Sequence, residues 1–553
     1  MPLLDRRIGL LFACFLGLLF IAAGRATWLA TVKSRQLSSA AASQQTASVE
    51  VPARRGTIID RKGIELAVDQ PAADVSATPY LVKDAPKVAA RLAPLLGKPA
   101  EDVAKQLERR DTGFAYLARA MPGQRAERIR RLDIAGIQIT PGHRRFYPQD
   151  DLASQVLGTV GTDGQGLSGL EYSRDHLLEG RDGRRQLVKD ALGESIRVRD
   201  PRPERPGARL ELTIDAAIQE KVERVLADVG RTYQPKGATA FVTDPRTGAV
   251  LALANWPRVN ANAPAAAPPY ALQNRAVGFT YEPGSTFKAI TVAGALEEGT
   301  VTPRTTFTLP PTILVADRII GESHPRGTVT LTTGQILAQS SNVGAITIGQ
   351  RMGKESFDRW VRRFGFGRPT GVDLPGEERG LVLPVDKYSG SSMGNLPIGQ
   401  GVSVTPMQMA TAYGAIANGG MLRPPHVVAA ADGRFLPLPE ARRVISPTTS
   451  LKLREMLEGA FAPGGTASEV AIKNYALAGK TGTANKIDPQ TGTYSQSRYI
   501  ASFIGFAPAL KPRLLIGIVV DEPHGAIYGG QVAAPAFGRI ASFALPYLRI
   551  PPG

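Results

Sequence analysis

The chain is nearly free of cysteine and poor in histidine. Of its 553 residues a single one, Cys14, is cysteine, and it lies inside an N-terminal apolar run. The body of the protein can therefore form neither a disulfide nor a thiolate metal site. Five histidines (His143, His176, His324, His426, His524) stand singly, without H-E-x-x-H or any paired spacing, and give no support to a metal centre. Acidic residues are the scarcer charge: 49 against 66 basic ones leave a net +17. The basic residues are densest at 124–131, 180–189 and 196–209, with no interleaved aromatics and no zinc-finger or RNA-binding signature. That pattern argues against a nucleic-acid partner and fits a solvated basic face near an anionic membrane or polymer. With 43% apolar and 21% charged residues the composition is globular. The length allows three or four units of roughly 150 residues, or fewer larger ones.

One long apolar run is present. Arg6 and Arg7 precede IGLLFACFLGLLFIAAG (8–24), close to the ~17–25 residues needed to span a bilayer, and paired arginines favour a cytoplasmic start. A cleaved signal peptide is the competing reading, since Ala22 and Gly24 are small enough for a cleavage site. Either way the chain from about residue 35 onward is expected outside the cytoplasm. QLSSAAASQQTAS (36–48) has linker composition. RRGTIIDRKGIELAV (54–68) alternates around Asp60 to Gly63 as a hairpin does. A helical, charge-rich segment is expected at about 82–133, then short strands to about 200, with the proline-rich DPRPERPG (200–207) as boundary. Beyond it, 208–229 reads as a strand entering a helix, and 238–256 as two strands joined by the turn Asp244 to Gly248. Residues 498–508 and 513–523 are β-rich and 534–548 is helical. Strands, a helical middle and strands again predict an antiparallel sheet flanked by helices with a helical subdomain.

The decapeptide YEPGSTFKAI (281–290) has two readings. Ser285 after Pro-Gly and before an apolar run is the ordinary signature of a helix N-cap. Lys288, three residues on, shares its helical face, and a cation in a first turn opposes the helix dipole where a capping box would carry Glu. Burial and the dipole would depress its ammonium, leaving a base able to activate the serine. The same helix start offers N–H groups to an oxyanion. Two further stretches follow in order: QSSNVGAITIG (339–349), with Ser340 and Asn342 flanking Ser341, and ALAGKTGTANK (476–486), with Lys480, Thr481, Gly482 and Thr483. S-x-x-K, S-x-N and K-T-G in this order form the active-site set of penicillin-recognising serine acyltransferases, in which the middle residue is often Asp. Ser285 is read as nucleophile, Lys288 as base, and Ser340 as the relay to the leaving amine. Asn342 can orient substrate, Lys480 supplies positive charge, and the Thr481 and Thr483 hydroxyls can bind a terminal carboxylate. Gly482 lets substrate lie on an edge strand. Two decoys fail: GKT at 479–481 lacks the P-loop glycine at position 474, which is Asn474, and GSSMG (390–394) around Ser392 follows no buried strand.

With these motifs the sequence resembles the class B, monofunctional penicillin-binding proteins over almost its whole length. RRGTIIDRKGIELA is similar to the family's opening pedestal signature and DGQGLSGLEYSRDHLLEG (163–180) to a second pedestal phrase; 398–420 and 521–537 are similar to transpeptidase-domain phrases. The resemblance implies a multidomain α+β protein: cytoplasmic tip and uncleaved transmembrane anchor (1–35), linker (36–53), elongated mixed α/β pedestal of the dimerisation type (54–205) and transpeptidase domain (206–553). It implies a D,D-transpeptidase that cross-links peptidoglycan stem peptides through an acyl-enzyme at Ser285, without cofactor or metal, and is acylated by β-lactams. The oxyanion hole would be the N–H groups of Ser285 and Thr483. The wording around 161–171 is closer to the division type than to the elongation type, which implies a polytopic glycan polymerase and other division proteins as partners. A β-lactamase, a non-catalytic β-lactam sensor and a structural scaffold are the remaining alternatives.

Overall fold

A computed structural model describes residues 2–33, 46–189, 195–438 and 440–552. The uncharged N-terminal run has no proline, and the helix that contains it, Pro2–Thr31, is about 45 Å long at 1.5 Å per residue. Arg7–Thr31 is the one helix among the described residues long and apolar enough to cross a membrane. Near its end the Arg25 guanidinium and the Lys33 ammonium lie 5.1 and 5.0 Å from the Trp28 ring centroid, a pairing suited to a membrane–water boundary.

Contacts divide the chain into two compact units, Met1–Arg54 with Gly180–Pro206, and Arg55–Glu179 with Gly207–Gly553. The segment 54–205, read from sequence as one pedestal, is thus shared between them. In the first unit Thr46–Val51, Gly183–Lys189 and Ser195–Arg202 form an antiparallel three-stranded sheet. Of the segment expected to be linker, 36–45 lies outside the described residues, and Thr46–Val51 is a strand. Its T-A-S-V-E-V alternation suits a pleat, and its partner at Gly183–Lys189 is too distant in sequence to be foreseen.

In the second unit two sheets organise the chain. One runs in the order Arg434–Phe435, Val428–Ala431, Leu210–Leu212, Ile58–Ile59, Glu65–Ala77 and Ala115–Pro122, with Ile137–Phe146 also paired to Glu65–Ala77. The expected hairpin is there: the Asp60 carboxylate accepts the Lys62 and Ile64 N–H groups at 2.7 and 2.8 Å, an Asx-type turn. The expected helical stretch 82–133 contains Ala85–Leu96, Ala100–Leu107 and Gly123–Arg130, but Ala115–Pro122 is a strand. There Leu117 and Met121 are buried and Tyr116 is exposed, so packing against Glu65–Ala77 overrides the helical texture of its neighbours. The two pedestal phrases meet inside this unit. Glu171, fully buried, takes Arg55 Nε on one oxygen and Arg145 Nε on the other, both at 2.6 Å.

The second sheet positions the site. Its antiparallel order is Val250–Trp256, Gly237–Thr243, Leu514–Asp521, Tyr494–Ala507, Ala478–Ile487, so the strand carrying the K-T-G residues is an edge. Side-chain alternation splits its core into two layers. Leu514, Ile516, Ile518 and Val520 face the helices Ala216–Tyr233 and Ala534–Tyr547, while Leu515 and Val519 face a helical layer built around Lys288–Glu297. The Ala216–Tyr233 helix starts as its sequence asks, with Asp215 capping the Ala217 and Ile218 N–H groups, and it buries Ile218, Val222, Val225, Leu226 and Val229 along one stripe.

Candidate active site

Residues 281–290 do not begin with a serine cap. Gly284–Phe287 forms one 3-10 turn and the α-helix begins at Lys288. Ser285 is the second residue of that turn, half-buried, and caps neither helix start. The turn is held from elsewhere: Gly284 N–H donates to Gly399 O at 3.0 Å, Tyr281 and Val404 exchange backbone hydrogen bonds, Thr286 Oγ1 donates to Pro283 O at 2.8 Å, and the buried Tyr413 hydroxyl donates to Thr286 O at 2.6 Å. Gly284 has φ +54°, and a Cβ there would lie 3.1 Å from Ala484 Cβ and 3.2 Å from Thr483 O. The turn that carries Ser285 therefore packs directly on the K-T-G edge strand.

Lys288 is fully buried. Its Nζ donates to Ser340 O at 2.6 Å and Asn342 Oδ1 at 2.7 Å, and lies 3.3 Å from Ser340 Oγ. Burial lowers its ammonium to about 7, against an opposing pull from the Glu322 carboxylate. A neutral amine has two protons and a lone pair. The two donations to Ser340 O and Asn342 Oδ1 use both protons and leave the lone pair to accept one. Ser340 itself adopts φ +62°, a left-handed conformation unusual for serine. Within the S-S-N stretch Ser341 caps the helix Asn342–Met352, its Oγ accepting the Gly344 N–H. Asn342, expected to orient substrate, is largely engaged by the protein: Oδ1 takes Lys288 and Nδ2 donates to Gly321 O at 2.9 Å. One Nδ2 proton remains for a ligand.

On the edge strand Lys480 and Gly482 share one face, Thr481 and Thr483 the other. Lys480 is fully buried, with Nζ 3.1 Å from Thr481 O and 3.3 Å from Thr481 Oγ1. Burial first, and the Lys288 charge second, hold it well below the usual lysine value. The positive charge expected of Lys480 is thus disfavoured by its own surroundings, and an incoming carboxylate would restore it. Gly482 is required by the protein itself: a Cβ would lie 2.3 Å from Ser502 Oγ and 3.0 Å from both Pro283 O and Thr286 Cγ2. Thr481 Oγ1 donates to Thr466 Oγ1 at 2.8 Å. Thr483 Oγ1 accepts the Gly529 N–H at 3.1 Å, which leaves its own hydroxyl proton free to donate.

The structure brings all three motifs together, although 52 residues separate Lys288 from Ser340. Sequence reasoning missed Glu322, Tyr413, Thr466 and Gly529. Only Gly529 had a local signal, a Gly-Gly pair after Tyr528; the others are single residues whose roles depend on distant partners. Ser392 opens a short helix, Ser392–Asn395, and its Oγ accepts the Ser389 N–H at 2.9 Å, so no strand-to-helix elbow presents it.

Comparison with known proteins matches residues 238–542 to the penicillin binding protein transpeptidase domain and 50–212 to the penicillin-binding protein dimerisation domain. The chain is 34% identical to stage V sporulation protein D of Bacillus subtilis, over 98% of this chain and 86% of that one. It is 32% identical to the peptidoglycan D,D-transpeptidase FtsI of Escherichia coli K12, over 99% and 92%. Among solved structures it is similar to penicillin binding protein 3 of Mycobacterium tuberculosis complexed with aztreonam, at 31% identity and a TM-score of 0.72, covering 91% of this chain and 98% of that one.

Proposed function

Because the chain belongs to the penicillin-binding protein transpeptidase family, and carries that family's dimerisation domain as well, we propose that it is a serine D,D-transpeptidase cross-linking peptidoglycan through an acyl-enzyme at Ser285. Ser285 Oγ attacks the carbonyl of the penultimate D-alanine while Lys288 takes its proton. The tetrahedral oxyanion is received by the Ser285 and Thr483 N–H groups. Collapse breaks the peptide bond, with Ser340 delivering the proton from Lys288 to the departing D-alanine amine. An amine of a neighbouring stem then attacks the ester and frees Ser285. Lys480 and Thr483 hold the terminal carboxylate, joined by Thr481 once its hydroxyl proton turns from Thr466 to the ligand; Asn342 orients the peptide, and Gly482 keeps the strand open to it. β-Lactams acylate the same serine.

The observation that carries this reading is the Lys288 nitrogen, buried and bonded to both Ser340 and Asn342, which joins two motifs into one proton path. A hydrolytic, lactamase-like reading needs a carboxylate free to activate water. Glu322, the carboxylate bonded to the S-S-N turn, has one oxygen on the Ser341 hydroxyl and the other on the Asn342 N–H. The N-terminal apolar helix fits a single-pass membrane protein. Arg6 and Arg7 support a cytoplasmic N-terminus with the catalytic part outside, and the 161–171 wording supports a septal role beside a polytopic glycan polymerase. Fluorescent penicillin should label the wild type and leave Ser285→Ala unlabelled; equal labelling of both would sink the nucleophile assignment. A fluorescent fusion should collect at the division site, and an even distribution along the lateral wall would transfer the protein to elongation.

A further inference from the structure

One buried carboxylate touches the catalytic turn and has no part in the mechanism above. Glu322 follows the short strand Arg318–Gly321, and its side chain is 7% exposed. Oε1 accepts the Ser341 hydroxyl and Oε2 the Asn342 backbone N–H, each at 2.6 Å, and Arg326 closes an ion pair on Oε1. Its neighbour Gly321 accepts Asn342 Nδ2 at 2.9 Å. Gly321 and Glu322 thus grip Ser341 and Asn342 from side chain and main chain at once.

The consequence for the chemistry runs through Asn342 and Ser340. With Nδ2 committed to Gly321 O, the Asn342 amide must turn Oδ1 toward Lys288, where it lies at 2.7 Å. Ser340, immediately before the clamp, holds φ +62°, a conformation that persists only when surrounding contacts impose it. In that conformation its carbonyl meets Lys288 Nζ at 2.6 Å. We propose that Glu322 is the positioning residue of the acylation machinery, clamping the 340–342 turn so that Ser340 and Asn342 hold the Lys288 nitrogen in place. It also supplies the anionic charge that Lys288 feels. The charged groups facing Lys288 are Glu322 from the 318–322 segment and Lys480 from the edge strand, with Arg326 behind Glu322. Glu322 raises the Lys288 value that burial lowers. Removing the carboxylate charge therefore lets Lys288 lose its proton at lower pH, while the loosened turn slows the reaction.

The inference rests on Ser285 and Lys288 acting as proposed, and the test separates the two. The full-length protein is titrated with fluorescent penicillin, and the acylation rate constant is followed from pH 5 to pH 9 for wild type, Ser285→Ala, Glu322→Gln and Arg326→Gln. Labelling of Ser285→Ala would overturn the nucleophile itself. With that control unlabelled, Glu322→Gln should lower the plateau rate about tenfold and move the midpoint of the acidic limb down by about half a unit or more. Arg326→Gln, which leaves Glu322 uncompensated, should move it up. An unmoved midpoint in Glu322→Gln, whatever its plateau, overturns the inference, because a merely structural residue changes the rate without moving the limb. Should Glu322→Gln not fold, Arg326→Gln decides alone, and an unmoved or lowered midpoint rejects the clamp.

Discussion

Lys288 meets only acceptors or a hydroxyl that can act either way: a carbonyl, an amide oxygen and the Ser340 oxygen. Its proton is nonetheless easily lost, because burial outweighs the attraction of Glu322 and brings the ammonium to about 7. The sign for catalysis follows. Above pH 7 the amine is mostly neutral and can take the Ser285 proton; below it, each pH unit removes about tenfold of the competent form. The acylation rate should therefore rise with unit slope on a logarithmic scale up to about pH 7 and then level, as measured by the rate of penicillin labelling. Lys288→Arg keeps the charge but holds a guanidinium that does not deprotonate in this range. It should lose at least about 100-fold in rate and lose the acidic limb with it; a limb that persists in this variant would mean another group is the base.

At the scale of elements the site is a contact between a 3-10 turn and a sheet edge. An edge strand presents backbone groups to whatever lies beside it, and here the turn that carries Ser285 covers one face of that edge. Gly482 makes the contact possible, since its missing Cβ would fall on Ser502 Oγ and against Pro283 and Thr286. Gly482→Ala must push the turn away from the strand. The expected cost is about 1–3 kcal/mol of stability, as for overpacking, together with a loss of about 100-fold in acylation, because a shift of 1 Å at the nucleophile is enough for that. Thermal unfolding beside penicillin labelling would check it, and a variant with wild-type labelling would show that the turn yields freely. Much of this element scale is legible in the sequence: the hairpin within 54–68, the 238–256 hairpin and the strand-then-helix of 208–229 follow from alternation and turn residues. Ala115–Pro122 and Thr46–Val51 are not legible, because their strand partners lie elsewhere in the chain, and the residues of Ala115–Pro122 are in addition mostly weak formers.

Over the whole molecule, the pedestal phrases are joined by charge as well as by apolar burial, since Ile58 and Leu66 of one share a buried cluster with Leu170 and Leu178 of the other. Glu171 has no exposure and lies between Arg55 and Arg145, and Arg55 also reaches Asp175 at 2.7 Å. Removing one member of such a set leaves buried charge uncompensated. Glu171→Gln should cost about 3 kcal/mol, seen as a fall in Tm of several degrees, while the protein that stays folded should label with penicillin at the wild-type rate. A slowed labelling rate in folded Glu171→Gln would mean that this network also shapes the catalytic cleft.

The family, the three motifs and the identities of Ser285, Lys288, Ser340, Asn342 and Lys480 to Thr483 were determined by the sequence itself, because reactive groups and short-range periodicity are written locally. Tertiary structure decided what those residues experience. It put two lysines, 192 positions apart along the chain, close enough that the Lys288 charge adds to burial in lowering Lys480. It left Ser285 without a cap role, made Ser341 the cap of a different helix, Asn342–Met352, gave Gly482 a steric partner in the turn that carries Ser285, and set Glu322 against Asn342. Burial, proton affinity and steric fit depend on neighbours brought in from distant parts of the chain, and no local pattern records them.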